Sequence, residues 1–389
     1  MKRYISLIAG ILVQIALGGI YAFSSYVPSF QSHWGYNSTQ TQAVFGLTIL
    51  MFTLYMIISG RQLVRRGPRT LIFISGILFL AGHWAASYTG GNYPLFLAAY
   101  LLGIAPALSF GYVCPLAAGL LWFPNHRGLV TGLSVAGYGI GGVVLSSLVE
   151  KLLGLGWDIE TILRFVGAVW GGIILLCGAV SSTPPGLIHK EEESAGPPPI
   201  GDHKKEFAGL TMFLVFGTLP GLMLIGALKP FGLFNGIEGH TAALGVSFLS
   251  LGNGLGRIIW GISADRVHPR RLALVNLIGV FLSVLILLAV GAHTALYIPA
   301  GFLLGFTYGG PLVITPDQVS RVFGGPHLSR VYPVAFSFHG IAAAVGASLA
   351  GFIFQFTGSY HEVFMIAGGG ALFGLAGYWF FLKDTEKLD

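Results

Sequence analysis

Apolar residues run in twelve long blocks along the chain, each closed by a short polar or basic stretch. A bilayer core of about 30 Å needs about 20 mainly apolar residues as helix, and a helix satisfies its own backbone in lipid. The blocks at 4–30, 41–60, 70–88, 93–122, 128–149, 161–181, 207–229, 241–264, 272–292, 295–320, 331–356 and 362–382 meet that requirement. The expected fold class is an all-α membrane protein of twelve transmembrane helices. Met1-Lys2-Arg3 leads into an apolar stretch reaching Phe30, too long for a signal-peptide core, so it reads as the first span.

The polar breaks are not alike. Between blocks six and seven, Lys190-Glu191-Glu192-Glu193 and Pro197-Pro198-Pro199 cannot pack a core. That stretch predicts a linker at 182–206 between an N-terminal six-helix bundle, 1–181, and a C-terminal one, 207–389. Alternate breaks also differ in charge. One set holds 17 of the 21 basic residues, including Arg61, Arg65, Arg66, Arg69, Arg266, Arg270, Arg271, Arg321 and Arg330, and the other holds only Lys151 and Lys229. Because Lys and Arg collect in cytoplasmic loops, both termini are expected in the cytoplasm.

Composition removes other classes. Of 389 residues, 54% are hydrophobic and 9% charged, against about 25% charged in soluble domains. The net charge of +6 lies in short clusters between apolar runs, which argues against a nucleic-acid partner. Two cysteines in apolar stretches, Cys114 and Cys177, make no disulfide framework or cysteine metal site. No metal-ligand cluster, phosphate loop or paired nucleophile and base is apparent, so neither a cofactor nor enzymatic chemistry is expected.

The two halves repeat. Gly60 to Arg69 aligns with Gly261 to Arg270 at a spacing of about 200 residues, with Gly60, Pro68 and Arg69 matched. Such internal symmetry marks duplicated transporter bundles, whose site lies between the halves near the membrane midplane. Gly261-Ile262-Ser263-Ala264-Asp265-Arg266 through Arg271 resembles the major facilitator loop signature, and the first copy lacks the Asp. The sequence is identified as a member of that superfamily. Trp122-Phe123-Pro124-Asn125-His126-Arg127-Gly128, the glycine-rich Gly132 to Gly142, and Tyr308-Gly309-Gly310-Pro311 resemble its oxalate/formate antiporter and monocarboxylate transporter branch. The resemblance implies the major facilitator fold. It also implies that Asp265, Arg266 and Arg270 make gating contacts rather than a substrate site.

Ionisable residues inside spans are costly and functional by default. Arg164, four residues after Glu160, is explained by an interfacial ion pair or by snorkelling to the interface. Arg257 lies about 10 Å inside span eight and needs a partner. Asn253 shares its face and offers an amide beside it. No Asp or Glu falls at that depth in any span, so the counter-ion is expected to be the substrate, whose carboxylate fits the guanidinium fork. His339, at similar depth in span eleven, is the side chain there able to titrate near neutral pH. Tyr21, Tyr112, Tyr138, Tyr308 and Phe336 lie near mid-depth as pocket walls.

The branch resemblance sharpens this reading. The oxalate exchangers pair an Arg in span eight with a Lys in span eleven, a position His339 resembles. The animal monocarboxylate transporters carry Asp-x-x-x-Arg where this chain has Asn253 to Arg257. One permanent cation matches a monoanion. The expectation is a proton-coupled symporter of small monocarboxylates such as L-lactate or pyruvate, working as a monomer in a bacterial-type inner membrane. An oxalate/formate-type exchanger is the alternative.

Overall fold

The computed structural model describes residues 2–123, 127–182, 199–291, 293–324 and 327–381. Most of the expected linker, Lys383 and Lys387, and Pro124 to His126 of the fourth-span motif lie outside the described residues. Twelve helices are long and apolar enough to cross a membrane: α1 Lys2–Trp34, α2 Ser38–Leu63, α3 Arg65–Ser87, α4 Tyr93–Pro115, α5 Leu133–Gly154, α6 Ile159–Val180, α7 Lys204–Leu224, α8 Gly239–Ala264, α9 Pro269–Ala289, α10 Thr294–Phe323, α11 Arg330–Thr357 and α12 His361–Phe381. No strand occurs among the described residues. Large apolar side chains such as Leu102, Leu176, Ile278 and Phe380 are exposed on their outer faces, the arrangement that suits lipid rather than water.

Helix ends follow local chemistry. Asn37 and Gln40 close α2 with a reciprocal capping box, at 2.8 and 3.0 Å. Asp158 accepts from the Thr161 N–H at 2.6 Å at the start of α6, and that bond holds its carboxyl below the usual carboxylate range. Near the start of α3 the chain kinks at Gly67, φ +72°, which only glycine adopts without strain, and the regular helix runs on from Pro68.

Several spans are interrupted. α1 carries a 3₁₀ turn at Gly19–Ala22, α4 a π stretch at Tyr100–Ile104, and α10 breaks between Tyr297–Gly309 and Pro311–Phe323. The seventh span was expected to reach 229. It ends at Leu224, and the chain restarts as a short helix Leu228–Phe234. The intervening Gly226 packs against the Gln42 side chain, a contact that a continued helix with side chains there would not permit.

The first six and last six spans meet along two helix pairs with glycine at the contact. A Cβ on Gly139 of α5 would lie 2.5 Å from the Gly254 Cα of α8, and one on Gly46 of α2 would lie 2.5 Å from the Ala343 carbonyl oxygen of α11. Small residues let helix backbones approach this closely in membranes. Gly139→Val is expected to force the α5–α8 pair apart and cost about 1–3 kcal/mol, which a thermal-unfolding assay of the detergent-solubilised protein will detect.

Among the described residues, five hydrogen bonds join the two halves. Two involve Arg257. The others lie towards the face opposite the arginine-rich one: Thr39 to Gln355 at 2.7 Å, Ser146 with Ser247 at 2.8 Å, and Lys229 with Glu150. Lys229 is buried, although its sequence position reads as a loop charge.

Candidate functional site

Arg257 is 2% exposed and sits where α8 passes between α1 and α5. Its Nε donates to Asn253 Oδ1 at 3.0 Å, one helical turn away. Nη2 donates to the Tyr21 hydroxyl at 2.8 Å and Nη1 to the Val135 carbonyl at 3.3 Å. A guanidinium has five N–H donors, so two remain beyond these three bonds. Asn253 turns its oxygen to the guanidinium, a donor-only group that needs an acceptor. Asn253 Nδ2 is left buried without a protein partner.

Aromatic rings enclose the guanidinium. Its carbon lies 5.8 Å from the Tyr21 ring centroid and 5.5 Å from that of Tyr138, within cation–π range. Tyr21 meets Tyr138 and Tyr308 edge-on at 5.6 and 5.8 Å, and Tyr112 meets Tyr138 at 5.1 Å. Phe336 stacks on His339 at 4.9 Å. The structure thus brings Arg257, Tyr21, Tyr112, Tyr138, Tyr308, Phe336 and His339 around one cavity, with Ile49, Phe52 and Leu312, two residue sets drawn from both halves. Asn253 joins through Arg257. Two of these side chains come from helix interruptions: Tyr21 lies in the 3₁₀ turn of α1, and Tyr308 lies just before the break in α10.

The cavity is small. Its volume is about 10 Å³, room for about one water molecule. No Asp or Glu is among its lining residues.

His339 Nδ1 lies 2.9 Å from Thr218 Oγ1, and that hydroxyl also reaches the Leu214 carbonyl at 2.7 Å, so Thr218 orients the imidazole. Sequence reasoning carried no sign of Thr218; a hydroxyl in the seventh span was not a candidate.

The expected gating residues are not joined in this conformation. Asp265 caps the end of α8 and is exposed, and among the described residues it forms no ion pair with Arg266 or Arg270. Arg270 lies over the Trp379 ring at 4.4 Å. The acid engaged at this mouth is Asp317, paired with Arg321 at 2.9 Å, while Arg321 also donates to the Ala264 carbonyl at 3.1 Å. Among the described residues Arg164 forms no ion pair with Glu160, which leaves snorkelling to the interface as its reading. Glu160 instead accepts from Trp34 Nε1 at 2.9 Å and lies 3.3 Å from His33, and Arg164 turns to the Thr161 hydroxyl at 3.0 Å.

Twelve spans in two halves, several of them interrupted and closed over a central charged cavity, define a membrane carrier, and residues 207–389 match the model of the Major Facilitator Superfamily. The chain belongs to the Major Facilitator Superfamily and is one of its transporters. It is 24% identical over 357 residues to the oxalate:formate antiporter of Oxalobacter formigenes, covering 90% of this chain and 84% of that one. It is 23% identical over 421 residues to monocarboxylate transporter 12 of Mus musculus, covering 94% and 82%. In fold it is similar to a bacterial homolog of the human lysosomal transporter Spinster, solved in an inward-facing and occupied conformation, with TM-score 0.76, 15% identity and coverage of 99% and 97%.

Proposed function

We propose that this chain is a secondary carrier of short monocarboxylates such as L-lactate or pyruvate, moved together with a proton by alternating access. The observation that carries the reading is the buried Arg257, held between the halves in a cavity whose lining has no acidic side chain. A buried charge needs a counter-charge, and a carboxylate supplies one through two N–H bonds in the guanidinium plane. The unpartnered Asn253 Nδ2 gives a further donor. The names of the relatives, which concern oxalate, formate and monocarboxylates, support the same chemistry.

Proton coupling is assigned to His339. An imidazolium beside the Arg257 guanidinium is repelled, and a carboxylate between them relieves that repulsion, so anion and proton favour each other's binding. Tyr112, Tyr308 and Phe336 shape the pocket. In this reading 1–181 and 207–389 are the two bundles, 182–206 is the cytoplasmic linker, and Asp265, Arg266 and Arg270 gate the cytoplasmic mouth in another conformation. The carrier works as a monomer in a bacterial-type inner membrane.

The test is uptake of labelled lactate, formate and oxalate into proteoliposomes with and without an inward proton gradient. External acid is expected to stimulate lactate uptake, and His339→Ala to flatten that dependence. Oxalate exchange indifferent to the gradient would instead establish an exchanger of the oxalate/formate type. A pH profile unchanged in His339→Ala would remove the histidine from coupling.

A further inference from the structure

The bond between Arg257 and Tyr21 has no role in holding a carboxylate, and it occupies the place where one would bind. A guanidinium offers a carboxylate two forks, one along Nε and a neighbouring Nη and one across Nη1 and Nη2. The first is blocked, because Nε is taken by Asn253 Oδ1 at 3.0 Å. The second is where the Val135 carbonyl, at 3.3 Å, and the Tyr21 hydroxyl, at 2.8 Å, now sit. With room for about one water molecule, the cavity in this geometry is too small for any carboxylate. The Tyr21 bond therefore belongs to a closed form of the site that carries no cargo.

Resting on the carrier reading above, we infer that Tyr21 is a place-holder for the cargo: its hydroxyl takes the guanidinium when the carboxylate leaves, so that the site closes and the carrier returns unloaded. Three features fit Tyr21 to this task. Its oxygen accepts from Arg257, and because it sits at the end of a side chain it can leave Nη2 when a carboxylate takes that position. It stands on the 3₁₀ turn Gly19–Ala22, two residues after the Gly18-Gly19 pair, where α1 has a ready point of adjustment. The bond also spans the two halves, from α1 to α8, and so closes the site as a carboxylate held between them would. The Val135 carbonyl, fixed in the α5 backbone, lacks that freedom.

Carrier kinetics separate this role from ordinary binding. Exchange needs only loaded crossings, since cargo rides in both directions, whereas net flux also needs the unloaded return. Tyr21→Phe keeps the ring and its edge contacts with Tyr138 and Tyr308 and removes only the hydroxyl. A hydrogen bond to a charged group lost from the unloaded form alone slows that return by about tenfold or more. In proteoliposomes, net lactate efflux from Tyr21→Phe is expected to fall by that factor, while lactate–lactate exchange falls only about two- to threefold. An equal loss in both assays would make Tyr21 a binding or structural residue and overturn the place-holder, as would no loss in either.

A second measurement needs no transport. Spin labels at Leu155→Cys and Glu238→Cys report on one face, and labels at Arg66→Cys and Val267→Cys on the other; all four positions are exposed. In the absence of carboxylate, Tyr21→Phe is expected to lengthen the distance on one of the two faces. Unchanged distances on both would overturn the inference. If the unaltered protein moves no lactate in either assay, the monocarboxylate reading itself fails, and the label distances still decide whether the hydroxyl closes the site.

Discussion

Arg257→Lys is expected to lower the proposed monocarboxylate uptake by about 10- to 100-fold, and Arg257→Ala to abolish it. Lysine keeps the charge but not the planar fork, and its ammonium must choose among the Asn253 oxygen, the Tyr21 hydroxyl, the Val135 carbonyl and the cargo with three donors instead of five. Each hydrogen bond to a charged group is worth about 1.5–3 kcal/mol, and every 1.4 kcal/mol is about tenfold. Losing one such bond to the cargo accounts for the range. The measurement is the initial rate of labelled lactate uptake at matched protein level. Full transport in Arg257→Lys would exclude two-point recognition of the carboxylate.

Glu150→Gln has the other large effect, on shape rather than on binding. Lys229 is buried and pairs with Glu150 across the halves, with side-chain exposures of 7% and 21%. Removing one partner of a fully buried pair costs about 3–5 kcal/mol because the remaining charge is left uncompensated. Glu150 is part-exposed, so about 2 kcal/mol is the reasonable scale here. That cost falls on the closed arrangement only, since parting the halves returns Lys229 to water. The variant is expected to open the face opposite the arginine-rich one, lengthening the distance between labels at Leu155→Cys and Glu238→Cys. Glu150→Leu combined with Lys229→Met should recover most of the closure, because two apolar side chains leave no charge stranded. A double variant as open as the single one would show that the ion pair is not what holds this face.

The parts of the site that were legible from the sequence were those fixed by one helix and by depth. Arg257 and Asn253 are four residues apart, so any helix through them places the two side chains on one face, and the 3.0 Å bond follows. Tyr21, Tyr112, Tyr138, Tyr308 and Phe336 share a level with them, and the internal repeat points that level towards the axis between the halves. What escaped was pairing through space. Lys229 and Glu150 each lie near a helix end and read as solvated charges until the short helix Leu228–Phe234 meets the end of α5. Glu160 has Arg164 one turn away, yet Trp34 and His33 of α1 reach it instead, because tertiary packing delivers partners that helical spacing cannot anticipate. Thr218 is an ordinary threonine by sequence, and only the contact between α7 and α11 makes it the group that orients His339.

The turn between α2 and α3 and its counterpart after α8 share a glycine, a proline and a run of arginines, but they are not partnered alike. In the second, Arg270 lies on Trp379 and Arg321 is tied to Asp317 and to the end of α8. In the first, Arg61, Arg65, Arg66 and Arg69 are exposed and form no ion pair among the described residues. Charges held against a protein partner are shielded from the medium, whereas exposed ones feel mobile ions over a Debye length of about 10 Å at 0.1 M salt. The first turn is therefore more sensitive to the ionic strength around it than the second, where part of the charge is held by protein side chains.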